Sequence, residues 1–232
     1  EKKSIAFHEA GHATVSWLLE HANPLVKVTI VPRGRSLGAA WYLPEERSIT
    51  TTEQILDEMC TSLGGRAAEQ LMFGKISTGA LSDLEKITKQ AYAMVSIYGL
   101  NEKVGNISYY DPQGNGFTKP YSDDTARVID EEVSKMVEEQ YDRALALLTE
   151  NKDKLVQLAE KLLDKEVIFK EDLVAIFGQR PWDLEKEKAA AAAEAPKTEE
   201  KAETVEPLEV KPVSTDDIPS VPDVRPLGGE KE

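Results

Sequence analysis

Phe7-His8-Glu9-Ala10-Gly11-His12 is the stretch on which the reading of this chain turns, because it holds the pattern H-E-x-x-H. Positions four apart share one face of a helix, so His8 and His12 can grip one metal ion together. Glu9, next to the first of them, can reach a water in the same place, and a carboxylate beside zinc can take that water's proton. The flanks Ile5, Ala6, Val15, Trp17, Leu18 and Leu19 are apolar nearly all round, which predicts a buried helix over residues 3–22. Buried histidines need partners, and that weighs for a metal and against two solvated side chains. Ala10 and Gly11 are small, as a crowded helix face requires.

A catalytic zinc takes three protein ligands and leaves one position open. The chain has three histidines, and the third, His21, lies nine residues beyond His12, off the ligand face. A longer histidine motif would put glycine at 15 and histidine at 18, where Val15 and Leu18 stand. The third ligand is therefore a carboxylate or Cys60. Asp83, at a helix start after Thr78-Gly79, is one candidate, with an ordinary helix N-terminal acid as the plain alternative. Glu69 is the other, and a pair with Arg66 is its plain alternative. Cys60 reads as a small core residue. Residue types alone leave Asp83 and Glu69 open.

Working outward, Asn23-Pro24 stops the first helix. Residues 26–31 alternate and are β-branched, Pro32-Arg33-Gly34 signals a turn, and residues 37–43 read as the second strand of a hairpin. Thr50-x-x-Glu53 and Thr51-x-x-Gln54 are overlapping capping boxes before a helix over 52–72. Gly64-Gly65 weakens that helix by about 1 kcal/mol per glycine, so a close contact with another helix is expected there. Ser77-Thr78-Gly79 reads as a loop, and Ser82-x-x-Glu85 as the box opening a helix to about Tyr98. Residues 100–120 read as a long loop with a short strand at 107–109. Ser122 caps a helix to about 150, whose stripe of Ala126, Ile129, Val133, Met136 and Val137 predicts a packing face. Helices over 152–164 and 170–177 follow.

The 232 residues suffice for a sizeable core, and 41% of them are hydrophobic. A formal charge of −14 speaks against nucleic acid as a partner. One cysteine, Cys60, fits a reducing compartment. No run of about 18 apolar residues occurs, so no membrane-spanning helix is predicted. A start almost inside the key helix predicts a fragment of a longer protein. From Glu185 onward the composition changes: no aromatic residue, six of the twelve prolines, an alanine run, and 13 acids against 7 bases. Such a segment buries too little surface to offset its ordering entropy, which predicts a disordered acidic tail over 185–232.

Several blocks together resemble the peptidase domain of the FtsH family, membrane-anchored AAA+ zinc proteases of bacteria and organelles. They are the motif at Phe7–His12, Val31-Pro32-Arg33-Gly34, Tyr42-Leu43-Pro44, Leu63-Gly64-Gly65-Arg66-Ala67-Ala68-Glu69, Ser77-Thr78-Gly79-Ala80 and Ser82-Asp83-Leu84. The hairpin blocks look like the mitochondrial m-AAA branch and its bacterial relatives. The resemblance implies Asp83 as third zinc ligand beside His8 and His12, with Glu9 as general base. It also implies a mainly α fold, a small β-hairpin and long C-terminal helices, in a peptidase domain over 1–180: a metal-site part to about 100 and a helical part over 121–178. A homo-hexamer follows, anchored to the bacterial inner membrane on its cytoplasmic side or to the mitochondrial inner membrane on the matrix side. It would cleave unfolded or membrane proteins delivered by an ATPase that uses ATP and Mg2+ and that this chain lacks.

The expected activity is thus zinc-dependent endopeptidase, with the 37–42 edge strand pairing extended substrate and Trp41 either lining a subsite or packing on the core. Two rivals make different predictions. A zinc aminopeptidase would cleave short peptides without a motor, and a non-catalytic ring-assembly module would have no use for Glu9.

Overall fold

Every residue from Ala6 to Trp17 is buried in helix α1 (Lys2–Leu18), so this helix is the axis of the core. The computed structural model describes residues 1–32, 38–43, 48–110 and 120–183. The expected tail at 185–232, the Arg33-Gly34 part of the hairpin turn, Leu37 and positions 111–119 of the long loop lie outside them.

Helix α1 stops at Leu18, four residues before the expected end, and Leu19 is extended. The reason is tertiary. The guanidinium of buried Arg180 donates from Nη2 to the Leu19 carbonyl at 2.7 Å and to the Ala22 carbonyl at 3.2 Å. The Asp57 carboxylate takes the His21 N–H at 2.9 Å. Backbone groups that would continue the helix thus find partners outside it.

Strand β1 (Leu25–Thr29) pairs with β2 (Ala39–Tyr42) antiparallel, Lys27 opposite Trp41, as the hairpin reading expects. Helix α2 (Thr52–Phe73) uses the second of the two capping boxes: Thr51 accepts from Gln54 N–H, and the Gln54 side chain accepts from Thr51 N–H at 2.9 Å. Gly74, in the left-handed conformation at φ 62°, closes it.

A single 3-10 turn at Thr78–Ala80 leads into α3 (Leu81–Ser96). Ser82 is therefore inside the helix, not at its cap, and Ser77 caps the preceding turn by accepting from Gly79 N–H. Residues 107–109 form no strand: the Tyr109 N–H goes to the Ser96 carbonyl at 2.8 Å, and its ring meets Tyr121 edge-on. Helix α4 (Asp123–Glu150), α5 (Lys152–Lys165) and α6 (Lys170–Phe177) match the sequence pattern closely.

Between α5 and α6 stands β3 (Val167–Phe169), which the periodicity did not show because it is three residues long. It pairs antiparallel with β1, giving the sheet order β2-β1-β3, with β2 at an edge. The protein is mainly α with a small antiparallel sheet. Helix α1 packs against α2, α4, α5 and the hairpin, so the motif helix is surrounded.

Candidate metal centre and catalytic carboxylate

Two glycine contacts place the imidazoles. A Cβ at Gly11 would lie 2.6 Å from the Ala68 Cβ and nearer still to the Gly64 carbonyl oxygen. One at Gly64 would lie 2.7 Å from the Gly11 carbonyl oxygen, so α1 and α2 cross backbone to backbone. Gly65 faces the site instead: a Cβ there would stand 2.6 Å from Nε2 of both His8 and His12. The paired glycines thus have separate reasons, one for packing and one for leaving the ring nitrogens free.

His8 Nε2 and His12 Nε2 are 3.1 Å apart, and Asp83 Oδ2 is 3.5 Å from each. Among the described residues, His8, His12 and Asp83 form the one group of three metal-competent side chains. The other ring nitrogens are spoken for. His8 Nδ1 meets Glu69 Oε1 at 2.8 Å, and His12 Nδ1 meets the carbonyl oxygen of Thr61 at 2.8 Å. Carbonyl and carboxylate oxygens accept, so each Nδ1 carries a proton, and a ring that is neutral turns an Nε2 lone pair toward its neighbour. Two lone pairs 3.1 Å apart repel unless they share a cation. Zinc with bonds of about 2.0–2.1 Å to nitrogen and oxygen has tetrahedral ligand–ligand edges of about 3.3 Å, close to the separations here. The donor set fits zinc.

The electrostatics agree. Burial disfavours a charged His12, but the Asp83 carboxylate outweighs it and raises the His12 pKa to about 9. Burial pushes Asp83 up, and the two imidazoles overcome it and hold the carboxyl well below the usual range. Positive charge between these groups is favoured. Glu9 is buried beside them, and that burial raises its pKa, with His12 and His8 opposing and Asp83 adding. A carboxylate with a raised pKa is a better proton acceptor.

The sequence left Glu69 and Asp83 open; the structure brings Asp83 to the Nε2 atoms and Glu69 to the far side of the His8 ring. Glu69 is buried and accepts three bonds: from His8 Nδ1, from Ser77 N–H at 2.7 Å, and from Ser77 Oγ–H at 3.1 Å. Hence one carboxylate orients His8 and also pins the loop that leads to Asp83. That linkage, with the Thr61 carbonyl, escaped the sequence reading; the Ser77-Thr78-Gly79 block was its only signal. Cys60 is fully buried outside the cluster, and burial pushes its thiol up to about 12. His21 is tied through its backbone to Asp57. Trp41 does not pack on the core: it is 46% exposed, with Lys27 Nζ 4.9 Å over its ring.

A buried helix with two histidines a turn apart and an adjacent glutamate, met by an aspartate from a second helix, defines a metallopeptidase domain of the H-E-x-x-H class. Residues 1–176 match Peptidase family M41. The chain belongs to this family and is a peptidase domain of the FtsH type. It is 66% identical over 184 residues to the ATP-dependent zinc metalloprotease FtsH of Parabacteroides distasonis, covering 78% of this chain and 27% of that protein. It is 52% identical over 185 residues to the mitochondrial ATP-dependent zinc metalloprotease FTSH 3 of Arabidopsis thaliana, covering 78% and 23%. The mitochondrial inner membrane m-AAA protease component AFG3L2 of Mus musculus is 52% identical over 184 residues, again 78% and 23%. The chain therefore spans about a quarter of the length of these relatives. Family membership does not favour the aminopeptidase or assembly-module readings. Among the described residues, no helix is long and apolar enough to cross a membrane.

Proposed function

We propose that this chain is the endopeptidase part of an ATP-driven protease, in which His8, His12 and Asp83 hold zinc and Glu9 is the general base. The observation that carries it is the pair of Nε2 lone pairs 3.1 Å apart, with an Asp83 oxygen 3.5 Å from each. Zinc bound there supplies Lewis acidity, which lets a water be deprotonated near neutral pH. The Glu9 carboxylate takes that proton as the water oxygen adds to the scissile carbonyl carbon. As the C–N bond breaks, Glu9 returns the proton to the leaving amine nitrogen. Glu69 and the Thr61 carbonyl keep both imidazoles in the tautomer that presents Nε2.

Edge strand β2 supports a substrate reading: an extended segment pairing with it is held by backbone hydrogen bonds, independent of side-chain sequence. That suits unfolded or membrane proteins as substrates, delivered by an ATPase module using ATP and Mg2+. From the family resemblance we propose a homo-hexamer for the whole protein at the bacterial inner membrane, cytoplasmic side, with the mitochondrial inner membrane, matrix side, as the alternative. We take the peptidase domain as 1–180, with a metal-site part to about 100 and a helical part over 121–178.

Two measurements test this. Glu9→Gln is expected to retain zinc and lose casein cleavage; cleavage at the wild-type rate removes the base. Asp83→Asn is expected to lose zinc by metal analysis. Full retention there, with loss in Glu69→Gln, would reverse the ligand assignment.

A further inference from the structure

Gly38 stands at the head of β2, buried, with no room beside it. A Cβ there would lie 2.6 Å from Glu9 Oε1, 2.7 Å from its Cγ and 2.9 Å from its Cδ. Any side chain there would meet the carboxylate of Glu9.

Neither element can step aside. Helix α1 is locked on α2 by the Gly11–Gly64 contact. Strand β2 is paired to β1, and Ala40 and Tyr42 pack against the core from it. The Tyr42 hydroxyl is itself wholly covered. Between two fixed backbones, the one part able to move is the Glu9 side chain.

We infer that Gly38 is the positioning residue for the Glu9 carboxylate: its missing side chain leaves the space in which that carboxylate stands beside the His8–His12–Asp83 cluster. The inference rests on the reading of Glu9 as general base. It also means that the strand offered to an extended substrate and the base that serves the scissile bond are held in register by one contact. Displacing a reacting group by about 1 Å lowers rates by roughly a hundredfold.

The experiment is a cycle of Gly38→Ala in wild type and in Glu9→Ala, the second background lacking all three atoms that the new methyl meets. In wild type, Gly38→Ala is expected to keep stoichiometric zinc and a KM for a quenched peptide within about twofold. Its kcat should fall at least about tenfold, short of the full displacement effect. Its Tm should drop by several degrees in wild type and stay unchanged in Glu9→Ala, a difference that general strand packing would not produce. An unchanged kcat, or an equal Tm loss in both backgrounds, overturns the inference. Should Gly38→Ala fail to fold alone, folding of the double variant supports the contact and its failure to fold refutes it. Glu9→Ala cleaving at the wild-type rate would overturn the base itself. Glu9→Ala inactive beside a fully active Gly38→Ala would refute only the role of Gly38.

Discussion

Replacing Gly11 by alanine sets two effects of opposite sign against each other. In a helix interior, alanine is favoured over glycine by about 1 kcal/mol, so helix propensity predicts a more stable protein. Packing predicts the reverse. The new Cβ would lie 2.6 Å from the Ala68 Cβ and closer to the Gly64 carbonyl oxygen, a backbone atom with nowhere to go. Carbon atoms rest about 3.5–4.0 Å apart, so α1 and α2 must separate by about 1 Å. Two hydrogen bonds span that crossing at 2.8 Å, His8 Nδ1 to Glu69 and His12 Nδ1 to the Thr61 carbonyl. Stretching each by 1 Å takes it beyond hydrogen-bonding range. The loss is about 1 kcal/mol for the neutral bond and about 1.5–3 kcal/mol for the one to a carboxylate. Overpacking strain of about 1–3 kcal/mol adds to it. The net is about 2.5–6 kcal/mol of destabilisation, or a Tm lower by roughly 5–24 °C for a domain of this size. Calorimetry of Gly11→Ala with and without zinc reads it, and zinc content should fall as well. A Tm that rises by a few degrees with full zinc would refute the backbone contact.

Other perturbations separate site from scaffold. Glu69→Ala strands the His8 Nδ1–H and the Ser77 N–H, and chelator competition should show zinc bound about 10–100-fold more weakly; unaltered affinity would deny the orienting role. Asp172 is held at about 2 by Lys161, with Lys165 and the Phe169 N–H helping against burial. Because its folded pKa lies below the unfolded value of about 3.9, its contribution is present above that value and fades as pH falls from about 4 to about 2. Asp172→Asn should therefore lose about 1 kcal/mol at pH 7, allowing for solvent screening, and match wild type near pH 2; an equal gap at both pH values would contradict this. Buried Cys60, with its thiol near 12, should resist iodoacetamide at pH 8 in the native state and react once unfolded, as followed by mass spectrometry.

What the sequence determined by itself was local. The motif put His8 and His12 on one face because helical spacing is a property of the backbone. The capping box at Thr51 and the apolar stripe of α4 were legible for the same reason. Even the Gly64-Gly65 pair announced a close contact, since helix interiors penalise glycine. Tertiary structure decided the rest. From residue types, Asp83 and Glu69 were equal acids; only the fold separates one that faces the Nε2 atoms from one behind the His8 ring. The early end of α1 depends on Arg180, about 160 positions away, and β3 exists because β1 offers it an edge. Gly38 carries no local signal within the strand read over 37–43, and only the fold sets it against Glu9. Such contacts join residues distant in the chain, and no local pattern encodes which partner a carboxylate or a carbonyl will meet once the helices have packed.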